Sequence, residues 1–164
     1  MRGAQRGSAA DLEALFRAHW PRAQRAAYLV VHDAALAEDI AQEAFLAAVR
    51  ALDRFDRRRP FGPWLHRIVV NRAIDAARAR ALRAEVELGD GGTAPEAAGP
   101  ADRAVLAALA GLPPEQRAVV VLRHQLGYTP GDIARLLELP RGTVNSRLRR
   151  GLDAMRVMLE ETPS

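Results

Sequence analysis

Residues 129–150 read Thr-Pro-Gly-Asp-Ile-Ala-Arg-Leu-Leu-Glu-Leu-Pro-Arg-Gly-Thr-Val-Asn-Ser-Arg-Leu-Arg-Arg. Thr129 can cap a helix, and Pro130 suits the first helical position, where its missing N–H is not needed. Asp132 stands where a carboxylate can bind the orphan amides of the first turn. A short helix to about Leu137 is therefore predicted. Glu138-Leu139-Pro140 breaks it, and a longer helix is predicted from about Arg141 to Leu159. A short helix, a tight turn and a longer basic helix make a helix-turn-helix, whose second helix enters the major groove of DNA. At about 100° per residue, Val144, Leu152, Met155 and Leu159 fall within about 40° of Leu148 and predict a buried stripe. Thr143, Ser146 and Arg150 lie opposite, with Arg147 and Arg149 on the flanks. The first turns gather Arg141, Thr143, Asn145, Ser146 and Arg147, and the side chains of such turns meet base edges. Arginine forks onto guanine or phosphate, and hydroxyls bind phosphate or base edges. The same arginines would also suit a solvated helix face, and the preceding turn is what favours DNA.

Upstream, helices are predicted from Asp102 to Ala110, stopped by Gly111 and Pro113, and from Pro114 to about Leu126, ended by Gly127. Before them, Arg83 to Arg103 collects Gly89, Gly91, Gly92, Pro95, Gly99 and Pro100 and lacks helical periodicity, as a linker does. The first block shows apolar recurrence over Ala10–Val31, Ala35–Leu52 and Phe61–Leu82. A charged loop, Asp53–Pro60, carries Arg57, Arg58 and Arg59. The expectation is an all-α chain of two small helical domains, over residues 8–82 and 104–161, joined by a flexible acidic linker over 83–103.

Composition agrees. Hydrophobic residues make up 49% of the 164 and aromatics only 5%, so small side chains packed between helices are expected rather than a β-sandwich. All 24 basic residues are arginine, and the net charge is +4. Divided by segment, the balance is 14 Arg against 9 Asp/Glu over 1–82, 2 against 5 over 83–103, and 8 against 6 over 104–164. Two basic blocks flanking an acidic one suit a polyanion partner. The absence of cysteine excludes disulfides and thiolate metal sites and is compatible with a reducing compartment. No apolar run approaches the roughly 20 residues needed to span a bilayer. The polar stretch Met1–Ser8 lacks the apolar segment of a secretory signal. A cytoplasmic protein without membrane insertion is expected.

Two further constellations lie in the first block. Glu38, Asp39, Gln42 and Glu43 crowd one part of a helix surface, where an acidic-amide patch can pair with a basic partner or simply be solvated. On the next helix Arg67, Asn71 and Arg78 share a face with Trp64 at its edge. Arginine and an aromatic together suit an unstacked single strand, while Trp64 at helical spacing equally suits the core.

Three segments resemble one known family. Leu139-Pro-Arg-Gly-Thr-Val-Asn-Ser-Arg-Leu-Arg-Arg150, with Leu112-Pro-Pro-Glu-Gln-Arg117 and Asp132-Ile-Ala134, resembles region 4 of the extracytoplasmic-function branch of the sigma-70 family. Ala37-Glu-Asp-Ile-Ala-Gln-Glu-Ala-Phe45 resembles region 2.2. Phe61-Gly-Pro-Trp-Leu-His-Arg-Ile-Val-Val-Asn-Arg-Ala-Ile-Asp75 is similar to regions 2.3 and 2.4. The resemblance implies a non-enzymatic factor, without cofactor or metal, that binds core RNA polymerase and directs promoter recognition and melting. It implies docking on the beta-prime clamp helices through Glu38, Asp39, Gln42 and Glu43, a further contact of region 4 with the beta flap, and an anti-sigma factor as an inhibitory partner. It implies minus-35 contacts from Arg141, Thr143, Asn145, Ser146, Arg147 and Arg150, and minus-10 contacts from Arg58, Phe61, Trp64, Arg67, Asn71 and Arg78. The sequence departs from the family at Pro130-Gly131, in place of an acidic helix start, and at Gly151, where alanine is common.

Two other classes are weighed against this. A stand-alone helix-turn-helix regulator usually reads paired half-sites as a dimer, and neither a dimerisation helix nor a sensor domain is evident. An enzyme needs convergent reactive groups, whereas His19, His32, His66 and His124 are scattered and no phosphate-binding glycine loop or nucleophile elbow is present.

Overall fold

Alanine sets the geometry of the first block. In a computed structural model, which describes residues 1–87 and 99–162, α3 (Ala34–Arg50) turns Ala37, Ala41, Ala44 and Ala48 inward, each at most 1% exposed. Small side chains at this spacing let neighbouring helices approach closely. They pack against α2 (Ala9–Val31), which contributes Ala23, Ala26, Ala27 and Val30, and α4 (Phe61–Glu87), which contributes Leu65, Val69, Val70 and Ala73. A short α1 (Arg2–Gln5) precedes them, and a 3-10 turn, Leu52–Arg54, follows α3. Ser8 caps α2 and Asp33 caps α3, the latter accepting a hydrogen bond from the Leu36 amide at 3.0 Å. Between these helices His32 takes the left-handed conformation, φ 53°, and closes α2 by donating its N–H to Tyr28 O.

The second block is α5 (Pro100–Ala110), α6 (Pro114–His124), α7 (Pro130–Leu137) and α8 (Arg141–Glu161). Five consecutive residues of α6, Ala118 to Leu122, are buried, which marks it as the central helix. Its neighbours are α7 and α8 within the block and α2 and α4 across it, while α5 packs on α8 and α2. Gly127 lies at φ +78°, the left-handed turn expected after α6. The capping box at α7 forms as read: Thr129 Oγ1 accepts from the Asp132 amide at 3.2 Å, and the Asp132 carboxylate accepts from the Thr129 amide at 3.4 Å.

Eight α-helices and no strand are found among the described residues, so the all-α expectation holds. Two features differ from the reading of the sequence. First, α4 continues past Leu82 to Glu87, because Arg83, Ala84 and Glu85 favour helix. Pro100 opens α5 with Gly99 as its cap rather than interrupting it, since proline is tolerated at the first position. Both ends of the 83–103 segment are therefore helical; Gly89, Asp90, Gly91, Gly92, Pro95 and Glu96 lie outside the described residues. Second, the buried face of α8 is Val144, Leu148, Gly151 and Met155, while Leu152 is 42% exposed and Leu159 36%. Gly151 explains the shift. A methyl group there would meet Val120 Cγ2 at 3.1 Å and Leu112 Cδ1 at 3.5 Å, so the missing side chain lets α8 lie close against α6.

The buried residues of both blocks form one continuous apolar cluster. Polar contacts cross the seam as well. An Arg22 guanidinium N–H donates to Leu126 O at 3.1 Å. Arg117 donates to Leu109 O at 3.0 Å, to Ala110 O and Leu112 O at 2.8 Å, and to Val30 O at the end of α2. A guanidinium set among helix-terminal carbonyls satisfies acceptors that a helix end leaves orphaned.

Candidate nucleic-acid and polymerase interfaces

The face of α4 that carries the first candidate set is exposed at Arg67, Asn71 and Arg78. Trp64 is half-buried. Its ring lies 4.6 Å from that of Phe55 and meets Phe61 edge-on at 5.7 Å. One part of the Trp64 ring thus packs on the core, and the rest lines a cleft of about 1000 Å³. Phe61, expected to touch DNA, is instead a core residue, 6% exposed beneath Phe55, Trp64 and Phe45. The reason is its place at the first position of α4, where the helix begins by diving under the loop. Arg58 is exposed and paired with Asp56 at 3.1 Å, and the Arg58 hydrogen bonds hold the Asp56 carboxyl below its ordinary range.

On α8, Arg141, Asn145, Arg149 and Arg150 are exposed, and Thr143, Ser146 and Arg147 are half-buried. Arg141, Asn145 and Arg150 engage no described residue through side-chain hydrogen bonds or ion pairs, whereas Arg67 and Arg78 of α4 are occupied. Arg67 donates to Glu138 at 2.6 Å, and Arg78 is bound to Glu115. Glu115 and Glu138 belong to the second block. Partial burial pushes the Glu115 carboxyl up, but the Arg78 hydrogen bond and the charges of Arg78 and Arg147 outweigh this and hold it below its ordinary value.

Glu38, Asp39, Gln42 and Glu43 are all exposed on α3, with Leu46 beside them at 53% exposure. Glu43 pairs with Arg72 of α4 at 3.3 Å, which anchors the patch to the helix bearing Asn71. An acidic patch with an adjoining exposed leucine offers a partner both charge and apolar contact.

Residues 15–83 match the family model described as Sigma-70 region 2, and residues 102–155 match that described as Sigma-70, region 4. RNA polymerase sigma factor CarQ of Myxococcus xanthus is 35% identical over 162 residues, covering 94% of this chain and 92% of CarQ. The chain belongs to the sigma-70 family. ECF RNA polymerase sigma factor SigL of Mycobacterium tuberculosis is 35% identical over 167 residues, 97% of this chain and 94% of SigL, which places the chain in the extracytoplasmic-function branch. The solved structure of CnrH in complex with the cytosolic domain of CnrY matches with a TM-score of 0.75 at 28% identity, over 99% of this chain and 96% of CnrH. As a sigma factor the protein serves core RNA polymerase in promoter recognition and transcription initiation. A region 2 match ahead of region 4 argues against the stand-alone helix-turn-helix regulator.

Sequence reasoning missed the residues that join the two regions. His66 and His124 had looked alike, yet His66 is 3% exposed, with Nδ1 2.6 Å from the Tyr128 hydroxyl. Burial, then the charges of Arg22 and His19, lower His66 to about 4, while burial raises Tyr128 to about 12. Both groups are therefore neutral near pH 7, and one hydrogen bond joins them. No periodicity signals such a pair, because its partners lie on different domains. Among the described residues no cluster of His, Asp and Glu could hold a metal ion, and no helix is long and apolar enough to cross a membrane.

Proposed function

We propose that the first domain, residues 8–82, docks on core polymerase through Glu38, Asp39, Gln42 and Glu43 and reads the minus-10 element with Arg58, Trp64, Arg67, Asn71 and Arg78. Phe61 supports the Trp64 ring from below. The second domain, residues 104–161, reads minus-35 DNA with Arg141, Thr143, Asn145, Ser146, Arg147 and Arg150 in the major groove, and residues 83–103 join the two. The observation that carries this reading is the division of α8 into a buried face, Val144 to Met155, and an opposite side with Thr143, Ser146 and Arg150, while Arg141, Asn145 and Arg150 are exposed and without described partners. It is supported by a second exposed arginine-asparagine face on α4.

The protein acts as a specificity subunit in the cytoplasm and carries no catalytic group of its own. Each domain alone binds weakly, and tethering both to one polymerase raises the effective concentration of the second contact. Since Arg67 and Arg78 of α4 are held by the second domain here, the two domains part when both promoter elements are read. CnrH is solved in complex with the cytosolic domain of CnrY, and a bound protein partner, an anti-sigma factor, is the expected regulator of this chain.

The test is transcription with reconstituted holoenzyme. Asn71→Ala should leave polymerase binding intact and abolish promoter opening. Arg150→Ala should weaken upstream duplex binding, and Glu38→Arg should lose polymerase. If all three variants initiate like the parent, these assignments are wrong.

A further inference from the structure

Glu115 stands in the first turn of α6, with its side chain 28% exposed and bound to Arg78 of α4. The same first turn of α6 also faces α8. A methyl group on Gly151 would come within 3.7 Å of Gln116 Cβ, and Arg147, one helical turn before Gly151, is near enough for its charge to act on the Glu115 carboxylate. One carboxylate thus binds an arginine of the minus-10 set and lies within the field of an arginine of the minus-35 set. We infer that Glu115 is a built-in competitor for promoter DNA, engaging Arg78 and facing Arg147 in the free protein so that both reading faces are partly neutralised together. This rests on the assignment of those two arginines under the proposed function.

The chemistry favours the exchange. Phosphate and carboxylate bind guanidinium through the same forked hydrogen bonds, so strand and Glu115 cannot hold the same guanidinium edge of Arg78 together. The lowered Glu115 carboxyl agrees, since its charged form is the one stabilised by Arg78 and Arg147. Glu138 is a second clasp with a narrower reach. It sits at φ 55° in the turn between α7 and α8 and holds Arg67 at 2.6 Å, but it lies 71% exposed.

The experiment uses the full chain without polymerase. Anisotropy is measured with a labelled single-stranded deoxyoligonucleotide and a labelled duplex at low salt. Glu115→Gln is expected to raise affinity for both probes about threefold to tenfold, the range of a partly buried charge-assisted contact. Glu138→Gln should raise affinity for the single strand alone. Because Glu115 also favours its helix N-terminus, Glu115→Asp keeps that charge while shortening the reach to Arg78, and it should reproduce the gain should the amide variant fail to fold. Unchanged affinity for either probe in a folded Glu115 variant overturns the inference. Loss of promoter-dependent transcription on Arg78→Ala and Arg147→Ala in holoenzyme is read separately; if those two substitutions change nothing, the assignment of the arginines has failed rather than the competition.

Discussion

The phenolic oxygen of Tyr128 lies 2.6 Å from Nδ1 of His66, and this bond joins the turn after α6 to the second turn of α4. Both groups sit where water is scarce, so the bond matters more for what its loss would expose than for its own strength. Tyr128→Phe leaves a buried imidazole nitrogen without its partner, at a cost of about 1–3 kcal/mol. A lower midpoint in urea unfolding, with helical content retained at low denaturant, checks it.

Acid should loosen the same region. His32 and His66 are both lowered to about 4, chiefly by burial, with Arg117 next for His32 and Arg22 for His66. A histidine whose folded value lies below its unfolded value binds its proton more readily in the unfolded chain. Its contribution is complete above about pH 6.5 and is lost as pH falls towards 4, up to about 3 kcal/mol for each ring. Stability measured across that window should decline steadily with acidification. His66→Gln should flatten part of the slope.

The helix-turn-helix depends on its cap. Thr129 and Asp132 satisfy each other's backbone amides at the start of α7, a helix of only 8 residues. Thr129→Ala should cost about 1 kcal/mol. Hydrogen exchange should show the loss confined to α7 and the turn at Glu138, with α2 and α3 unchanged.

Promoter contacts divide by type. Arg150 and Asn145 are both exposed on α8. Substituting a base-reading side chain should cost about 1–3 kcal/mol and relax selection at one position, whereas losing a phosphate contact weakens all sequences alike and lowers the salt dependence by about one unit. Binding of Arg150→Ala and Asn145→Ala holoenzymes to a panel of single-base promoter variants separates the two roles.

The helices and the exposed reading edges were legible because each is written in local chemistry. Thr129, Pro130 and Asp132 announce α7, and the spacing of Val144, Leu148 and Met155 assigns the inner face of α8. The exposure of Leu152 was not legible, because it depends on how closely Gly151 lets α8 approach α6. Phe61 went astray for a related reason: an aromatic next to a reading face looks the same in sequence whether it points out or under. The seam between domains left no trace at all, since Arg78 and Glu115, or His66 and Tyr128, are distant in sequence and each has an ordinary role when taken alone.

The central claim is that one chain on polymerase contacts DNA at two separated places. Selecting DNA from a random pool with reconstituted holoenzyme, and sequencing what is bound and transcribed, tests it most directly. Two short unlike elements held at a fixed spacing upstream of the start should emerge, the downstream one lost with Asn71→Ala and the upstream one with Arg150→Ala. Recovery of a single element, or of a symmetric pair of half-sites, would contradict the account.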